Sequence, residues 1–283
     1  MSKSLIAKIE EKILMHTKPD YMDSEEKTHE FLKMISQSSQ KIPGGIFKSR
    51  KFNGMEVFTI GDENAQNTIL YLHGGAYIGE VNYQHLLYCF KLSRKLDAFV
   101  ILPVYPLAPL HNVCETFDLL LPVYEKLIHK NNLTLMGDSA GGGMALSFCQ
   151  FLKTRNLAQP DNIVVFSPWV DISMSNPPYD SENDPILGET GLREIGKSWA
   201  GKLDTQDYRV SPINGDNRGF PKTLIFSGTN EIFYKDIKRY VEKLKTDEVD
   251  VKFITGEGLF HIYPLFPMPE AKKAFEIIKK EIF

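Results

Sequence analysis

Short apolar runs alternate with amphipathic stretches over most of this 283-residue sequence. The segments Thr68–His73, Ala98–Val104 and Leu133–Gly137 have the length of strands and are almost wholly apolar, and helical patterns at Tyr83–Leu96 and Cys114–Ile128 separate them. Strands that are apolar on both faces and connected by helices form parallel sheets covered on both sides. The alternation therefore predicts an α/β protein with a mostly parallel central sheet and helices on both faces.

The alternation continues to the end of the chain, and a different pattern precedes it. Asn53-Gly54 lies between two strand-like segments and predicts a hairpin turn. Two amphipathic helices are predicted ahead of the hairpin, one in the first sixteen residues and one from about Glu25 to Ile35. The other predicted elements are the hairpin strands Ile46–Phe52 and Met55–Ile60, the strands Ile163–Phe166, Thr223–Ser227 and Val249–Ile254, and the helices Ala140–Lys153, Ile232–Leu244 and Pro269–Ile282.

The stretch from Ser173 to Pro221 interrupts this pattern. It is rich in Pro, Asn, Asp and Gly and contains one helical pattern, near Thr190–Ala200. We interpret it as an excursion above the sheet, because no long flexible linker sets it apart from the rest of the chain. The sequence therefore predicts a single domain over residues 1–283.

Composition excludes several other classes of protein. With 33 basic and 36 acidic residues, the net charge of −3 gives no global attraction to nucleic acid or to an anionic membrane. Charges interrupt the N-terminal apolar segment, which argues against a signal peptide, and three prolines break the longest uncharged apolar stretch, Phe99–Leu110. Three irregularly spaced cysteines fit free thiols in a reducing cytoplasm and indicate neither a disulfide framework nor a Cys-rich zinc site.

Gly137-Asp138-Ser139-Ala140-Gly141 is a Gly-x-Ser-x-Gly motif between a predicted strand and a predicted helix. A nucleophile on such a tight turn has a strained backbone, and large side chains two positions away would collide with it. The turn also places the hydroxyl at a helix N-terminus, which favours developing negative charge. A phosphate-binding loop is excluded, because no Gly-Lys-Ser/Thr follows. We predict Ser139 as a nucleophile.

His73-Gly74-Gly75-Ala76 ends an earlier strand and is a candidate source of oxyanion donors. Acyl transfer places negative charge on the carbonyl oxygen, so fixed N–H groups must point at that position. Glycines let the backbone approach a substrate closely. We predict the N–H groups of Gly74, Gly75 and Ala140 as donors, and a structural role for His73.

His261 is the candidate base, since it is the histidine that follows Ser139 in the sequence. It comes after the predicted strand Val249–Ile254, in the Gly-containing segment 256–261. A base in a loop after the last strand suits a nucleophile that lies on a strand-to-helix turn.

Glu231 is the leading candidate for the acid that orients this histidine. It is the first carboxylate in the loop that follows the strand Thr223–Ser227. The order Ser139, Glu231, His261 differs from the orders of the chymotrypsin and subtilisin types. Three other carboxylates stay open as alternatives, namely Asp236, Asp171 and Asp184.

Several ordered motifs together resemble the hormone-sensitive-lipase family of esterases. They are His73–Ala76, Val104–Pro109, Gly137–Gly142 and Ser167–Asp171. The sequence departs from the family at Pro106, where the family has Arg, and at Glu231, where it usually has Asp. The resemblance covers most of the chain from about Ile46 onward.

The resemblance implies an α/β-hydrolase fold with a small helical cap, formed by approximately residues 1–42 and 173–205. It also implies a serine carboxylesterase for small or short-chain acyl esters, with no metal or organic cofactor, and a homodimer through the C-terminal helix is one expectation. Two other functions stay open: an amidase or peptidase on the same three residues, and a non-catalytic ligand-binding relative. The presence of His261 argues against the second.

Overall fold

The strands form one central sheet in the part of the chain that the computed structural model describes, residues 3–45, 47–130 and 132–283. They are β1 Ser49–Phe52, β2 Met55–Ile60, β3 Asn67–Leu72, β4 Ala98–Val104, β5 Leu133–Asp138, β6 Asn162–Phe166, β7 Lys222–Gly228 and β8 Val251–Gly256. Their order is β1-β2-β4-β3-β5-β6-β7-β8. The pairs β1–β2 and β2–β4 are antiparallel, and the other pairs are parallel. The predicted α/β architecture is confirmed, although Ile46 of the predicted hairpin lies outside the described residues.

Helices cover both faces of this sheet. They are α1 Leu5–Thr17, α2 Glu25–Ser36, α3 Tyr83–Leu96, α4 Val113–Leu127, α5 Ser139–Thr154, α6 Glu189–Ala200, α7 Tyr234–Thr246 and α8 Pro269–Ile282. The helices α1, α3 and α8 contribute to the core on one face, and the other helices to the core on the opposite face. Met1 and Ser2, which begin the predicted N-terminal helix, lie outside the described residues. Within the described ranges, no helix has both the length and the apolar character needed to cross a membrane.

The central strand β5 connects the two cores. Its Leu133 and Leu135 belong to the core with α4 and α5, whereas Met136 belongs to the core with α3 and α8. This alternation follows from the two-residue period of a strand. The parallel register places Gly137 beside Leu72 of β3 and Val165 of β6. The carboxyl ends of these strands therefore meet at one edge of the sheet, where loops usually carry ligand sites.

The N-terminal helices pack against the stretch that follows β6. A Cβ on Gly191 of α6 would lie only 2.6 Å from the Met22 Cβ, so this close approach requires glycine. His29 of α2 and Glu194 of α6 are joined by a contact of 2.7 Å between Nε2 and Oε2. The helix predicted near Thr190–Ala200 is observed as α6. The two segments therefore form one packed layer.

Candidate active site

Ser139 lies at the sharp junction of β5 and α5. Its φ of 52° is in the left-handed region, which is strained for a residue with a side chain. A Cβ on Gly137 would lie 2.5 Å from the Gly141 carbonyl oxygen, and a Cβ on Gly141 would lie 2.1 Å from the Leu72 carbonyl oxygen. The glycines of the motif are thus required by close backbone contacts around the turn.

Ser139, His261 and Glu231 form a continuous chain of hydrogen bonds. His261 Nε2 lies 2.8 Å from Ser139 Oγ, and His261 Nδ1 lies 3.0 Å from Glu231 Oε2. With Glu231 as a carboxylate, Nδ1–H donates to it, which leaves Nε2 to accept from the serine hydroxyl. The other oxygen of Glu231 accepts a hydrogen bond from Ser227 Oγ. All three side chains of the chain are buried, with Ser139 only 4% exposed.

The surroundings of His261 favour its protonated form. Burial lowers the pKa of His261, but the hydrogen bond and negative charge of Glu231 raise it more, with further contributions from Asp184 and Asp138. The net shift of the pKa is upward. The imidazolium that forms when this histidine takes a proton is therefore stabilised by carboxylates inside a buried site.

The alternative acids Asp236 and Asp171 bind other partners. Asp236 accepts a hydrogen bond of 2.8 Å from the hydroxyl of Tyr179. Asp171 accepts one of 2.6 Å from Ser175 Oγ. Among the described residues, neither carboxylate hydrogen-bonds to His261, so the geometry favours Glu231.

Asp184 has a role that the sequence did not reveal. This fully buried carboxylate accepts from the N–H groups of Ile186 and Leu187, each at 2.8 Å, and from the N–H of Ile232 at 2.9 Å. Ile232 follows Glu231 directly. Asp184 therefore fastens the stretch after β6 to the loop that carries Glu231.

The loop after β3 differs from the prediction at one residue. The N–H of Gly74 donates to Asp138 Oδ1 at 3.0 Å, and a Cβ on Gly74 would lie 2.2 Å from Asp138 Oδ2. This N–H is therefore not free to bind a developing oxyanion, which corrects the expectation for Gly74. Within the described part of the chain, the N–H groups of Gly75 and Ala76 have no acceptor in the protein.

The geometry of that loop explains why these two donors are available. Gly75 has a φ of 113°, and a Cβ there would lie 2.8 Å from the Gly79 carbonyl oxygen. Ala76 has a φ of 51°, a strained value that the sequence does not indicate. Ala140 is the second residue of α5, and the first N–H groups of a helix have no partner inside it.

A buried polar cluster supports Asp138. The hydroxyl of Tyr71 donates to Asp138 Oδ1 at 2.8 Å, and His85 Nε2 lies 3.8 Å from Oδ2. Burial raises the pKa of Asp138, but the nearby His85 ring and the hydrogen bond from Tyr71 lower it below its usual value. Burial lowers the pKa of His73 to about 3, so its neutral ring donates to the Gly74 carbonyl oxygen at 2.8 Å. The carboxylate thus anchors the loop after β3.

Aromatic rings fill the space between α6 and the candidate base. Tyr77 stacks on Trp199 with ring centroids 4.3 Å apart, and it faces Trp169 at 5.7 Å. Trp169 stacks on Phe233 at 5.5 Å, and Phe233 meets the His261 ring edge-on at 5.4 Å. All of these rings are buried, so this side of the site is tightly packed.

In residues 3–45, 47–130 and 132–283, no group of three or more His, Cys, Asp or Glu side chains is placed to hold a metal ion.

Comparison with known proteins places this geometry in a family. The sequence profile of the alpha/beta hydrolase fold matches residues 69–265. An esterase of Acinetobacter venetianus is 31% identical over 221 residues, which cover 75% of this chain and 73% of that protein. The profile match includes the loops described above, from the loop after β3 to His261.

Solved structures agree with the sequence comparisons. A Staphylococcus aureus protein named as a candidate esterase superposes with a TM-score of 0.84 at 27% identity, covering 95% of this chain and 94% of that one. An esterase from the bacterial hormone-sensitive lipase family shares the fold, with a TM-score of 0.81 at 23% identity over the whole of both chains. The resemblance inferred from the motifs is confirmed. The chain belongs to the alpha/beta hydrolase fold family and is a carboxylic ester hydrolase.

Proposed function

We propose that this hydrolase is a serine carboxylesterase that acts through Ser139, His261 and Glu231. The observation that supports it most is the buried hydrogen-bond chain from Glu231 through His261 to Ser139. In this proposal Ser139 is the nucleophile, His261 the base and then the acid, and Glu231 the group that holds the imidazole tautomer.

The reaction proceeds through an acyl-enzyme. Ser139 Oγ attacks the ester carbonyl carbon while His261 Nε2 takes the hydroxyl proton, and a tetrahedral oxyanion forms. As the oxyanion re-forms the carbonyl and the bond from its carbon to the ester alkoxy oxygen breaks, His261 gives that proton to the leaving alcohol. A water molecule, deprotonated by the same nitrogen, then attacks the acyl-enzyme and forms a second tetrahedral intermediate. As the bond from its carbon to Ser139 Oγ breaks, the acid is released and His261 returns the proton to Ser139.

The oxyanion is assigned to three backbone donors. Gly75, Ala76 and Ala140 carry N–H groups without a protein acceptor at the edge of the sheet where Ser139 lies. Gly74 serves instead to fasten the loop to Asp138. Loss of one such donor usually costs about 3 kcal/mol of transition-state stabilisation, so the placement of this loop matters for the rate.

The substrates proposed are small or short-chain acyl esters. Buried aromatic rings occupy the side of the site next to His261, and Ser139 itself is almost fully covered. We also propose that residues 1–283 form one domain, with a cap made of about residues 1–42 and 173–205. Trp199 and Asp184 belong to the second cap segment and contact the loops that carry Tyr77 and Glu231.

A covalent probe and a substrate series test this proposal. A fluorophosphonate should label the wild-type chain and fail to label Ser139→Ala, since the label bonds to an activated serine oxygen. p-Nitrophenyl esters from acetate to dodecanoate should show the highest kcat/KM for the short acyl chains. Unchanged labelling of Ser139→Ala would exclude this nucleophile, and faster turnover of a matched anilide than of the ester would indicate an amidase.

A further inference from the structure

The exposed apolar side chains of this protein are concentrated on two helices of one face of the sheet. On α1, Leu5 is 73% exposed, Ile9 49% and Ile13 52%, and on α3 Leu87 is 58% and Phe90 48% exposed. Large apolar side chains this exposed on neighbouring elements mark a surface that meets another apolar phase.

On each helix the exposed apolar residues form a stripe. Leu5, Ile9 and Ile13 repeat every four residues and so lie on one side of α1. Tyr83, Leu87 and Phe90 are four and three residues apart, which also places them on one side of α3. The opposite side of each helix packs on the protein, through Ala7 in α1 and a row of buried residues in α3. Both helices are therefore amphipathic, with an apolar stripe facing outward.

A groove of about 800 Å³ lies beside the α3 stripe and reaches α1 at Glu10. Glu10 of α1 lines one side of it and Leu87 of α3 the other, and the segment after His261 contributes Pro264 and Phe266 to the floor. Glu10 lies four residues from Ile6 and three from Ile13, so it is on the same side of α1 as those residues. We call the stripes and this groove together the α1–α3 face.

Lysines border the apolar part of the α1–α3 face. Lys8 and Lys12 each lie three residues after an apolar residue of the α1 stripe, and Lys91 and Lys272 line the groove. In the described part of the chain neither groove lysine forms an ion pair with a carboxylate. Lys91 instead has its Nζ 4.4 Å from the centroid of the Phe275 ring.

Lys91 and Lys272 line the same groove, and their like charges repel each other. Burial lowers the pKa of Lys91, and the charge of Lys272 lowers it further, while Glu276 partly opposes this. Two neighbouring cations beside an apolar groove are stabilised by an anionic group placed between them. The acidic Glu11 and Glu270 of the same region are already bound, to Lys3 and to Ser4.

We propose that the α1–α3 face docks on an anionic phospholipid surface, with the apolar stripes at the boundary of headgroups and acyl chains and the lysines on the phosphates. Helices that lie in such an interface combine an apolar face with Lys or Arg beside it. The net charge of −3 does not prevent this, because the attraction depends on the charges within a screening length of the surface.

Docking through this face brings the site close to the bilayer. The groove floor follows His261 within a few residues, and the Tyr263–Leu265 turn contacts α3 and α8. Esters that partition into the membrane would then be concentrated near the loop of the base. The proposal does not depend on which residues carry the catalysis, because binding to lipid is measured without turnover.

Flotation with vesicles tests the proposal. The chain should bind vesicles of phosphatidylcholine mixed with phosphatidylglycerol, bind phosphatidylcholine alone more weakly, and lose binding as salt is added. Replacing Ile9 and Ile13 together by Ser should weaken binding about tenfold or more, since both side chains would leave the interface. Lys91→Gln and Lys272→Gln should each weaken it about fivefold, because one lysine near an anionic surface contributes about 1 kcal/mol.

Matched controls separate docking from a loss of folding. Lys238→Gln removes a lysine that also lies over a ring, that of Tyr234, but on α7 at the opposite face. Met34→Ser removes an equally exposed apolar side chain from α2. Both should bind vesicles as the wild type does, and all variants should keep their melting temperature. Leu87→Ser tests the α3 stripe independently of α1.

Three results would overturn the proposal. One is the absence of wild-type binding to either kind of vesicle, and another is binding that is indifferent to phosphatidylglycerol. The third is a dimer in solution that the Ile9 and Ile13 double replacement converts to a monomer while vesicle binding is absent. The α1–α3 face would then be a contact between two copies of this chain.

Discussion

At the scale of single residues, the role of each backbone N–H group in the site depends on whether it already donates a hydrogen bond within the protein. Gly74 illustrates this, because its N–H donates to Asp138, a residue 64 positions later in the chain. The sequence places two glycines in the loop, but it does not show which N–H groups are already bound. Once Asp138 is known to bind the N–H of Gly74, the N–H groups of Gly75 and Ala76 remain as the candidate oxyanion donors of this loop.

The choice of Glu231 as the acid leads to a comparison of two variants. Glu231→Gln should lower kcat by roughly 10⁴-fold, since an amide at this position no longer holds the imidazole tautomer that accepts the serine proton. Asp236→Asn should leave kcat within about threefold, because Asp236 bonds to Tyr179 and Arg239 and not to His261. Steady-state kinetics on a short-chain ester measures both. Equal losses, or a larger loss in Asp236→Asn, would remove Glu231 from this role.

The position of Asp184 leads to a prediction about the pH dependence of kcat/KM. Its charge raises the pKa of His261, and so does the charge of Glu231. Replacing Asp184 by Asn removes that charge, so the pKa of His261 should fall and the acid limb of kcat/KM should move to lower pH. Asp171→Asn is a matched control, because Asp171 is also buried and hydrogen-bonded but has no part in the shift at His261.

The direction of the shift distinguishes two roles for Asp184. If Asp184 only held the loop through the N–H of Ile232, its replacement would lower kcat without moving the acid limb. A limb that moves to higher pH, or does not move, would contradict an electrostatic role. The sequence left Asp184 among the alternative acids, because its position beside Ile232 arises from the folding of an irregular stretch.

At the scale of elements, segments with a clear hydrophobic period could be predicted from the sequence, whereas the way the elements pack together could not. The buried runs of β3, β4 and β5 predicted a parallel sheet, since only strands covered on both faces are so apolar. The order of the strands and the contact of α6 with Tyr77 had no signal of this kind. They depend on which faces pack together in three dimensions. No characteristic sequence spacing predicts a stacked ring pair such as Tyr77 and Trp199.

The contact between α6 and the loop after β3 predicts a change in substrate range. Trp199→Leu should open space behind Tyr77 and move the preferred acyl chain to a longer length. Its cost in stability should be below the about 3–5 kcal/mol typical of truncating a buried Trp to Ala. The measurement is kcat/KM across a series of p-nitrophenyl esters.

Phe117→Leu serves as the matched control for this change. Phe117 is buried in α4 against Phe148 and lies outside the aromatic stack beside His261. Phe117→Leu should lower the melting temperature much as Trp199→Leu does and leave the preferred acyl-chain length unchanged. A shift in preference in both variants, or in neither, would mean that the stack at Trp199 does not limit the acyl chain.

At the scale of the whole molecule, the burial of the site and the placement of charged side chains matter more than the amino-acid composition. The net charge of −3 does not reveal the lysines that border the α1–α3 face, because a sum over the chain ignores the position of each charge. Likewise, the motifs located the site without showing that Ser139 and His261 would be almost inaccessible to solvent. Because Ser139 is only 4% exposed, we propose that the cap segments, about residues 1–42 and 173–205, control access to it, so the contacts that hold them in place affect the rate.

Lys18, which follows α1 directly, makes one of the contacts that join the two cap segments. Its Nζ donates to the carbonyl oxygens of Ser181 and Asp184, at 3.0 and 2.8 Å, and Asp184 in turn binds the N–H of Ile232. Lys18→Met should therefore loosen the N-terminal segment and residues 181–187 together. Hydrogen–deuterium exchange should speed up there by about tenfold or more, because a hydrogen bond to a charged group contributes about 1.5–3 kcal/mol.

The same variant should leave the interior of the sheet unaffected, so amides of β5 and α5 should exchange at the wild-type rate. Labelling by a fluorophosphonate should become faster, since opening of the proposed cap would expose Ser139 more often. Lys27→Met is the matched control, because Lys27 pairs with Asp20 in an exposed ion pair within one segment and such pairs contribute little. Faster exchange throughout the sheet in Lys18→Met would show a general loss of stability. Unchanged labelling despite faster local exchange would mean that the opening of these segments does not limit access to the nucleophile.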